Sequence, residues 1–235
     1  MNVLAGGFAP SLGRTALTID VIFDPVCPWC YIGKRRLERA LAMRPALNVG
    51  PQSTSRVSLR WRPFLLNPDL PREGIDRTTH LVKKFGSEQR VRRIFGAIRE
   101  AGLSVEIHFA FERIKRTPNS VDAHRLVRYA DTHGKADRAV EALFKAYFER
   151  GCDTGDRQEL LSIGRDLDLP YEALDRYLRS ETDIDVVYEE NARAHRLGIS
   201  GVPSYLFNGA MMISGAQEPK VLARMIDAAI TTSSD

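Results

Sequence analysis

Cysteine is scarce in this chain: three in 235 residues, at positions 27, 30 and 152. Three cannot build a disulfide framework, so stability must come from an apolar core, which a chain of this length can bury. No stretch approaches the roughly 18 apolar residues of a membrane-crossing helix. Charge of one sign is not in excess either: 34 Lys and Arg stand against 30 Asp and Glu, a net +4. The basic residues are mixed with acids, so a nucleic-acid partner has little support. Arg90, Arg92 and Arg93 form the densest basic cluster and read as a solvated helix face. Apolar residues make up 43% and charged residues 27%, which excludes both a disordered chain and a membrane protein. Internal repeats and low-complexity segments are lacking. Residues 1–14 lack a basic segment, and glycines interrupt their apolar stretch. They read as a loose leader rather than a secretory signal. The expected location is the cytoplasm, where cysteine pairs tend to be catalytic rather than structural.

Two of the three cysteines stand together in Cys27-Pro28-Trp29-Cys30. The apolar run Leu17 to Phe23 precedes them, and helix-compatible sequence from Gly33 to Leu41 follows. Strand, dithiol, helix is the context of a thioredoxin-like redox motif. If the helix starts here, Cys27 is the N-cap and Pro28 takes the first helical position, where its fixed φ fits and its missing N–H is no loss. A sulfur at the N-cap faces unpaired amides and the positive end of the helix dipole. Both favour thiolate over thiol at Cys27. Lys34, Arg35 and Arg36 add positive charge nearby. Cys30, one turn in, should be shielded yet able to resolve a mixed disulfide. The competing reading is half of a zinc site. Cys152 and the five histidines, at 80, 108, 124, 133 and 195, supply no second tight pair, so no metal is expected. Trp29 brings neither charge nor acceptor, which points to a less oxidising couple than a histidine there would give. Asp24 either relays a proton for Cys30 or caps the turn, and Asp20 is the other candidate relay. Cys152 reads as a spare loop thiol. His124 and His195 read as helix-surface or packing residues, and Met211 and Met212 as core and strand filling.

A second marker lies near the C-terminal end. Tyr205-Leu206-Phe207, Asn208-Gly209 and Met211-Met212-Ile213 carry a strong hairpin signal. Val202-Pro203 stands just before, where proline is tolerated. An ordinary trans proline opening an edge strand is the alternative, but beside Cys27 and Cys30 a cis Val202–Pro203 bond facing the dithiol is expected. Val57, Leu59 and Trp61 alternate with polar residues and predict a strand. Strand signals then vanish after Gly74, and helices are expected at 76–86, 88–101, 170–180 and 183–197. Asn119 is expected to cap a helix running to Gly134. Ala136, Ala139, Val140, Leu143, Phe144 and Tyr147 have helical spacing. Asp156 with Glu159 resembles a capping box, and a last helix begins near Gln217.

These segments together resemble the DsbA superfamily of thioredoxin-fold oxidoreductases, and within it the FrnE-like branch. The matching stretches are Asp24 to Gly33, Trp61 to Pro68, Asn119 to Leu126, Gly201 to Ser204 and Ser214 to Gln217. The Trp61 to Pro68 and Gly215-Ala216-Gln217 segments point to that branch. The resemblance implies an α/β thioredoxin fold interrupted by a large all-helical insertion. Residues 15–66 and 186–232 would form a discontinuous thioredoxin-like domain, and residues 67–185 a helical domain lying beside the dithiol as a lid.

The function so implied is thiol–disulfide exchange. Cys27 attacks, Cys30 resolves, and Asp24, Pro28, Trp29, Val202 and Pro203 support them. The implied partners are protein disulfides or dithiols and an unidentified recycling redox partner, with the chain a monomer or homodimer. No cofactor is needed beyond the redox disulfide, with glutathione as an optional co-substrate. A related reading is a glutathione-dependent enzyme similar to kappa-class transferases and 2-hydroxychromene-2-carboxylate isomerases. Pro63, Phe64, Gly215, Ala216 and Gln217 would then hold glutathione, although those relatives carry a serine where Cys27 stands. A third reading is a non-enzymatic chaperone or interaction module.

Overall fold

The computed structural model describes residues 17–44 and 57–232; the expected leader, 1–14, lies outside the described residues. The first strand, β1 (Leu17–Phe23), is buried almost throughout. Its odd positions, Leu17, Ile19, Val21 and Phe23, enter the main core, while Ile22 enters a smaller one with Phe64, Ala194 and Ile199. This is the two-residue alternation of a strand covered on both faces. Helix α1 (Pro28–Ala42) follows, then β2 (Val57–Pro63), which pairs parallel to β1 with Asp20 opposite Arg60 and Phe23 opposite Pro63. A parallel pair needs a crossover, and α1 lies in it.

The chain then leaves the sheet. It forms β3 (Ile75–Asp76), α2 (Arg77–Phe85), α3 (Glu88–Leu103) and β4 (Arg116–Thr117). Next come α4 (Val121–Asp131), α5 (Ala136–Phe144), α6 (Arg157–Asp166), α7 (Tyr171–Arg179) and α8 (Ile184–Arg196). It returns as the hairpin β5 (Ser204–Phe207) and β6 (Met211–Ser214) and ends in α9 (Pro219–Thr231). The main sheet has the order β2-β1-β5-β6, with β5 antiparallel to β1 and to β6. Asn208 (φ 49°) and Gly209 (φ 72°) both take the left-handed conformation that a tight hairpin turn requires. The Asn208 side chain accepts the Thr18 N–H at 2.8 Å, tying the turn to β1. Helices α1 and α9 pack together on one face of the sheet, and α8 contributes Ala194 to the small core on the other. Among the described residues no helix is long and apolar enough to cross a membrane.

Helices α2 to α8 thus stand between strands of the sheet, as the sequence predicts, with local departures. Strand pairing does not vanish after Gly74: Ile75–Asp76 pairs antiparallel with Arg116–Thr117. Asn119 does not occupy the N-cap of α4. Ser120 does, and Asn119 accepts the Val121 N–H at 3.0 Å from one residue further out. That helix ends at Asp131, and Gly134 (φ 67°) follows in a left-handed turn. The helical spacing expected through Tyr147 gives way after Phe144 to a π turn, Lys145–Arg150. Asp156 does cap α6, accepting the N–H groups of Gln158 and Glu159 at 2.8 and 3.1 Å.

Candidate active site

The two sulfurs sit where β1 hands over to α1. The Cys27 N–H donates to the Asp24 carbonyl at 3.0 Å, which turns the chain. Cys27 is the N-cap of α1 with extended backbone (φ −93°, ψ 113°), and Pro28 opens the helix. Both thiols are free. Cys30 is shielded as expected, at 1% exposure, but Cys27 is scarcely more open at 4%. Trp29 is the exposed member of the motif. The Cys27 thiol donates to the Val202 carbonyl oxygen at 3.6 Å, and the Val202–Pro203 bond is cis. Pro203 and Tyr205 press against α1 at Gly33: a methyl group there would meet the Tyr205 hydroxyl at 2.4 Å and Pro203 Cγ at 2.7 Å. Glycine in that turn is what lets the helix approach the proline.

Burial pushes the Cys30 thiol well above its ordinary range, with further upward pushes from Cys27 and from the charge of Asp24. Asp24 is fully buried, and burial raises its carboxyl to about 6 despite the N–H groups of Leu66 (2.8 Å) and Val26 (3.1 Å) that it accepts. It therefore holds the turn and also sits within electrostatic reach of Cys30. Asp20 does neither. It is clamped by Arg60 (2.8 Å) and Arg62 (2.9 Å), beside a cavity of about 30 Å³ walled by Glu190, Arg193 and Ala194.

The three basic residues after the motif are spent on structure. Lys34 is buried against Glu38, Asp137 (3.1 Å) and Glu141 (3.5 Å). Arg35 pairs with Glu38 and Glu141, and Arg36 holds the Ala216 carbonyl and Glu218. Tyr31, next to Cys30, donates to Glu149 at 2.6 Å and stacks on Phe144, 5.0 Å between ring centres. The contacts of Tyr31, Lys34 and Arg35 join α1 to α5 and the π turn, and those of Arg36 join it to the start of α9.

Beside Cys27 opens a cavity of about 370 Å³. The dithiol turn supplies Val26, Cys27, Pro28 and Trp29; the proline loop supplies Gly201 and Val202; the rest comes from the helical insertion and the segment leading into it.

A model of the DSBA-like thioredoxin domain matches residues 18–227, nearly the whole chain. The chain belongs to that family. Its fold is the mixed α/β, thioredoxin-like DsbA fold with a helical insertion. A curated relative, the uncharacterised protein YwbO of Bacillus subtilis, is 24% identical over 209 residues, 88% of this chain and 94% of that protein. Among solved structures, a probable DsbA oxidoreductase from Streptomyces coelicolor aligns with TM-score 0.80 at 24% identity, covering 91% of this chain and 89% of that one. A 2-hydroxychromene-2-carboxylate isomerase aligns with TM-score 0.65 at 14% identity, covering 93% and 98%.

Within this DsbA-like frame, the residues expected to hold glutathione do not gather at the dithiol cavity. Phe64 is buried under α8, its ring 4.9 Å from that of His195, and its amide donates to Phe23. Pro63 ends β2. The Gly215 amide donates to the Pro203 carbonyl at 2.7 Å, and the Gln217 side chain folds back onto Ser214. None of the five lines the cavity. His124 is a packing residue: it lies edge-on to Phe23, and burial lowers its imidazole to about 3. Cys152 lies half-buried in a loop, its thiol pushed up chiefly by burial. Sequence reasoning missed Arg77, His80 and Lys84, which do line the cavity. With Leu81 and Phe85 they recur at helical intervals along one face of α2, a spacing visible in the sequence.

Proposed function

We propose that this DsbA-like protein is a thiol–disulfide oxidoreductase in which Cys27 attacks and Cys30 resolves. The observation that carries this reading is the asymmetry of the pair. Cys27 caps a helix at the wall of a cavity, while Cys30 lies behind it with its thiol held protonated by burial. In the reductive direction the Cys27 thiolate attacks one sulfur of a substrate disulfide and expels the other as a thiolate, which takes a proton. Cys30 gives up its proton and attacks Cys27, releasing the second substrate thiol and closing the Cys27–Cys30 disulfide. Two electrons pass from the protein to the substrate; the reverse sequence oxidises a dithiol. Asp24, with a carboxyl near 6, is placed to accept the Cys30 proton.

The FrnE-like placement within the family rests on Trp61 to Pro68 and Gly215 to Gln217. The glutathione-dependent isomerase or transferase reading has less support, because a second thiol stands at Cys30 and the residues expected to hold glutathione lie away from the cavity. Mass spectrometry after diamide and then dithiothreitol tests the proposal. A reversible loss of two hydrogens confined to the peptide carrying Cys27 and Cys30 is expected. Zinc held by these two thiols in the purified protein would overturn it.

A further inference from the structure

The cavity beside Cys27 has two kinds of wall. Leu66, Leu81, Phe85, Ile94, Phe95, Ile98 and Phe148 make most of it apolar. Its volume, about 370 Å³, is that of a small-molecule site. Arg77 and Lys84 bring positive charge to it from one face of α2, with His80 on the same face between them. Among the described residues none of the three has a carboxylate within 4.0 Å, whereas most of the other arginines do. The Arg77 guanidinium lies over Phe95 and Phe111, 4.8 and 5.7 Å from the ring centres, with the Tyr147 hydroxyl as its polar neighbour. Lys84 donates to the Asn67 side-chain oxygen at 3.1 Å. The one carboxylate whose charge Lys84 feels at the dithiol, Asp24, is buried and occupied by two backbone N–H groups.

Ring faces and one hydroxyl offset only part of the desolvation cost of a buried cation that has no counter-ion. An entering anion relieves it. Burial pushes Arg77 below its ordinary range, and burial with the charges of Lys84, Lys83 and Arg77 does the same to His80. Both shifts are those of a site short of negative charge. The π turn adds to the construction, since it sets the consecutive residues Tyr147 and Phe148 on the same cavity. Such turns recur at functional sites.

We propose that this cavity binds a small, apolar, anionic thiol, carried as its disulfide, with the anionic group on Arg77 and Lys84 and the sulfur at Cys27. The inference rests on the thiol–disulfide reading and names its substrate class. With R the apolar anionic group, Cys27 bonds to one sulfur of R–S–S–R and the other leaves as R–S⁻. Cys30 then displaces the second R–S⁻, its own proton passing to solution or Asp24. The disulfide gains the two electrons that the dithiol loses, so a single turnover needs only pre-reduced protein.

Stopped-flow oxidation of the pre-reduced protein tests it with two aromatic disulfides: anionic dithiobis(nitrobenzoate) and uncharged dithiodipyridine. The readout is the ratio of the two rates. Arg77→Met and Lys84→Met should each lower that ratio by roughly tenfold, the loss of one charge-assisted contact. Arg92→Met, which removes an exposed cation paired with Glu88 and outside the cavity, should leave the ratio unchanged. An unaltered ratio in folded Arg77→Met and Lys84→Met overturns the inference. If Arg77→Met does not fold, Lys84→Met decides, since Lys84 is exposed. Failure of both disulfides to oxidise the wild type would instead remove the thiol–disulfide reading itself, and the inference with it.

Discussion

Asp24 and Cys30 lie close enough at the buried end of β1 for the carboxylate's charge to help hold the thiol protonated. Burial is the larger cause for each group, and it acts in the same direction on both. A dithiol arranged this way separates its two roles. The resolving sulfur stays a thiol until a mixed disulfide forms, and a carboxyl able to take its proton sits beside it.

Asp24 should also mark the stability curve. Its carboxyl is raised from 3.8 unfolded to about 6 folded. Between those values the native state binds more protons than the unfolded state, so stability falls as pH rises through this window. The full shift corresponds to about 3 kcal/mol, present as a cost above pH 6 and absent below pH 4. In urea titrations the wild type should lose stability relative to Asp24→Asn between about pH 4 and 6. The absolute gain at pH 7 should be smaller than the full shift, because asparagine offers one acceptor oxygen to two backbone donors. Parallel pH profiles for the two proteins would refute the role given to this carboxyl.

The two cysteines should differ in reactivity. With Cys30 held up by burial and by Cys27 and Asp24, Cys27 is the sulfur that iodoacetamide should reach first in the reduced protein near pH 7. Peptide mapping after partial alkylation reads this directly. Preferential labelling of Cys30 would reverse the assignment of attacker and resolver.

Gly33 pits helix propensity against space. Alanine favours a helix interior over glycine by about 1 kcal/mol. Here its methyl would meet the Tyr205 hydroxyl at 2.4 Å and Pro203 Cγ at 2.7 Å, both on buried residues. Overpacking costs about 1–3 kcal/mol, so Gly33→Ala should lower the unfolding free energy on balance. A stabilised variant would mean that α1 and the Pro203 loop separate freely.

Much of this molecule was legible because its signals are periodic or chemically specific. The Leu17–Phe23 run, the alternation from Val57 and the Asn208-Gly209 turn each required one local structure, and each formed it. The dithiol at the start of α1 was legible from proline and cysteine alone. What escaped detection depends on partners distant in sequence. Ile75–Asp76 and Arg116–Thr117 are too short to carry a period, and their pairing is set by the helices around them. The π turn shifts the helical phase by one residue, so Tyr147 was expected inside but Phe148 beside it was not. Lys34, Arg35 and Arg36 looked like charge for the thiolate because Asp137, Glu141 and Glu218 lie about a hundred residues or more away in the chain. Arg125 shows the same limit: a fully buried guanidinium that donates to carbonyls at Thr182, Leu178 and Ser180 cannot be told from a surface arginine by its place in the sequence.

The central claim, that Cys27 forms the covalent intermediate and Cys30 releases it, is tested most directly by trapping. In Cys30→Ser the first exchange can occur and the second cannot. Non-reducing separation of this variant, followed by peptide mass spectrometry, should show substrate thiols bound to Cys27 and released by dithiothreitol, with none in Cys27→Ser. Adducts found on Cys152 alone, or an equal yield from Cys27→Ser, would contradict the account.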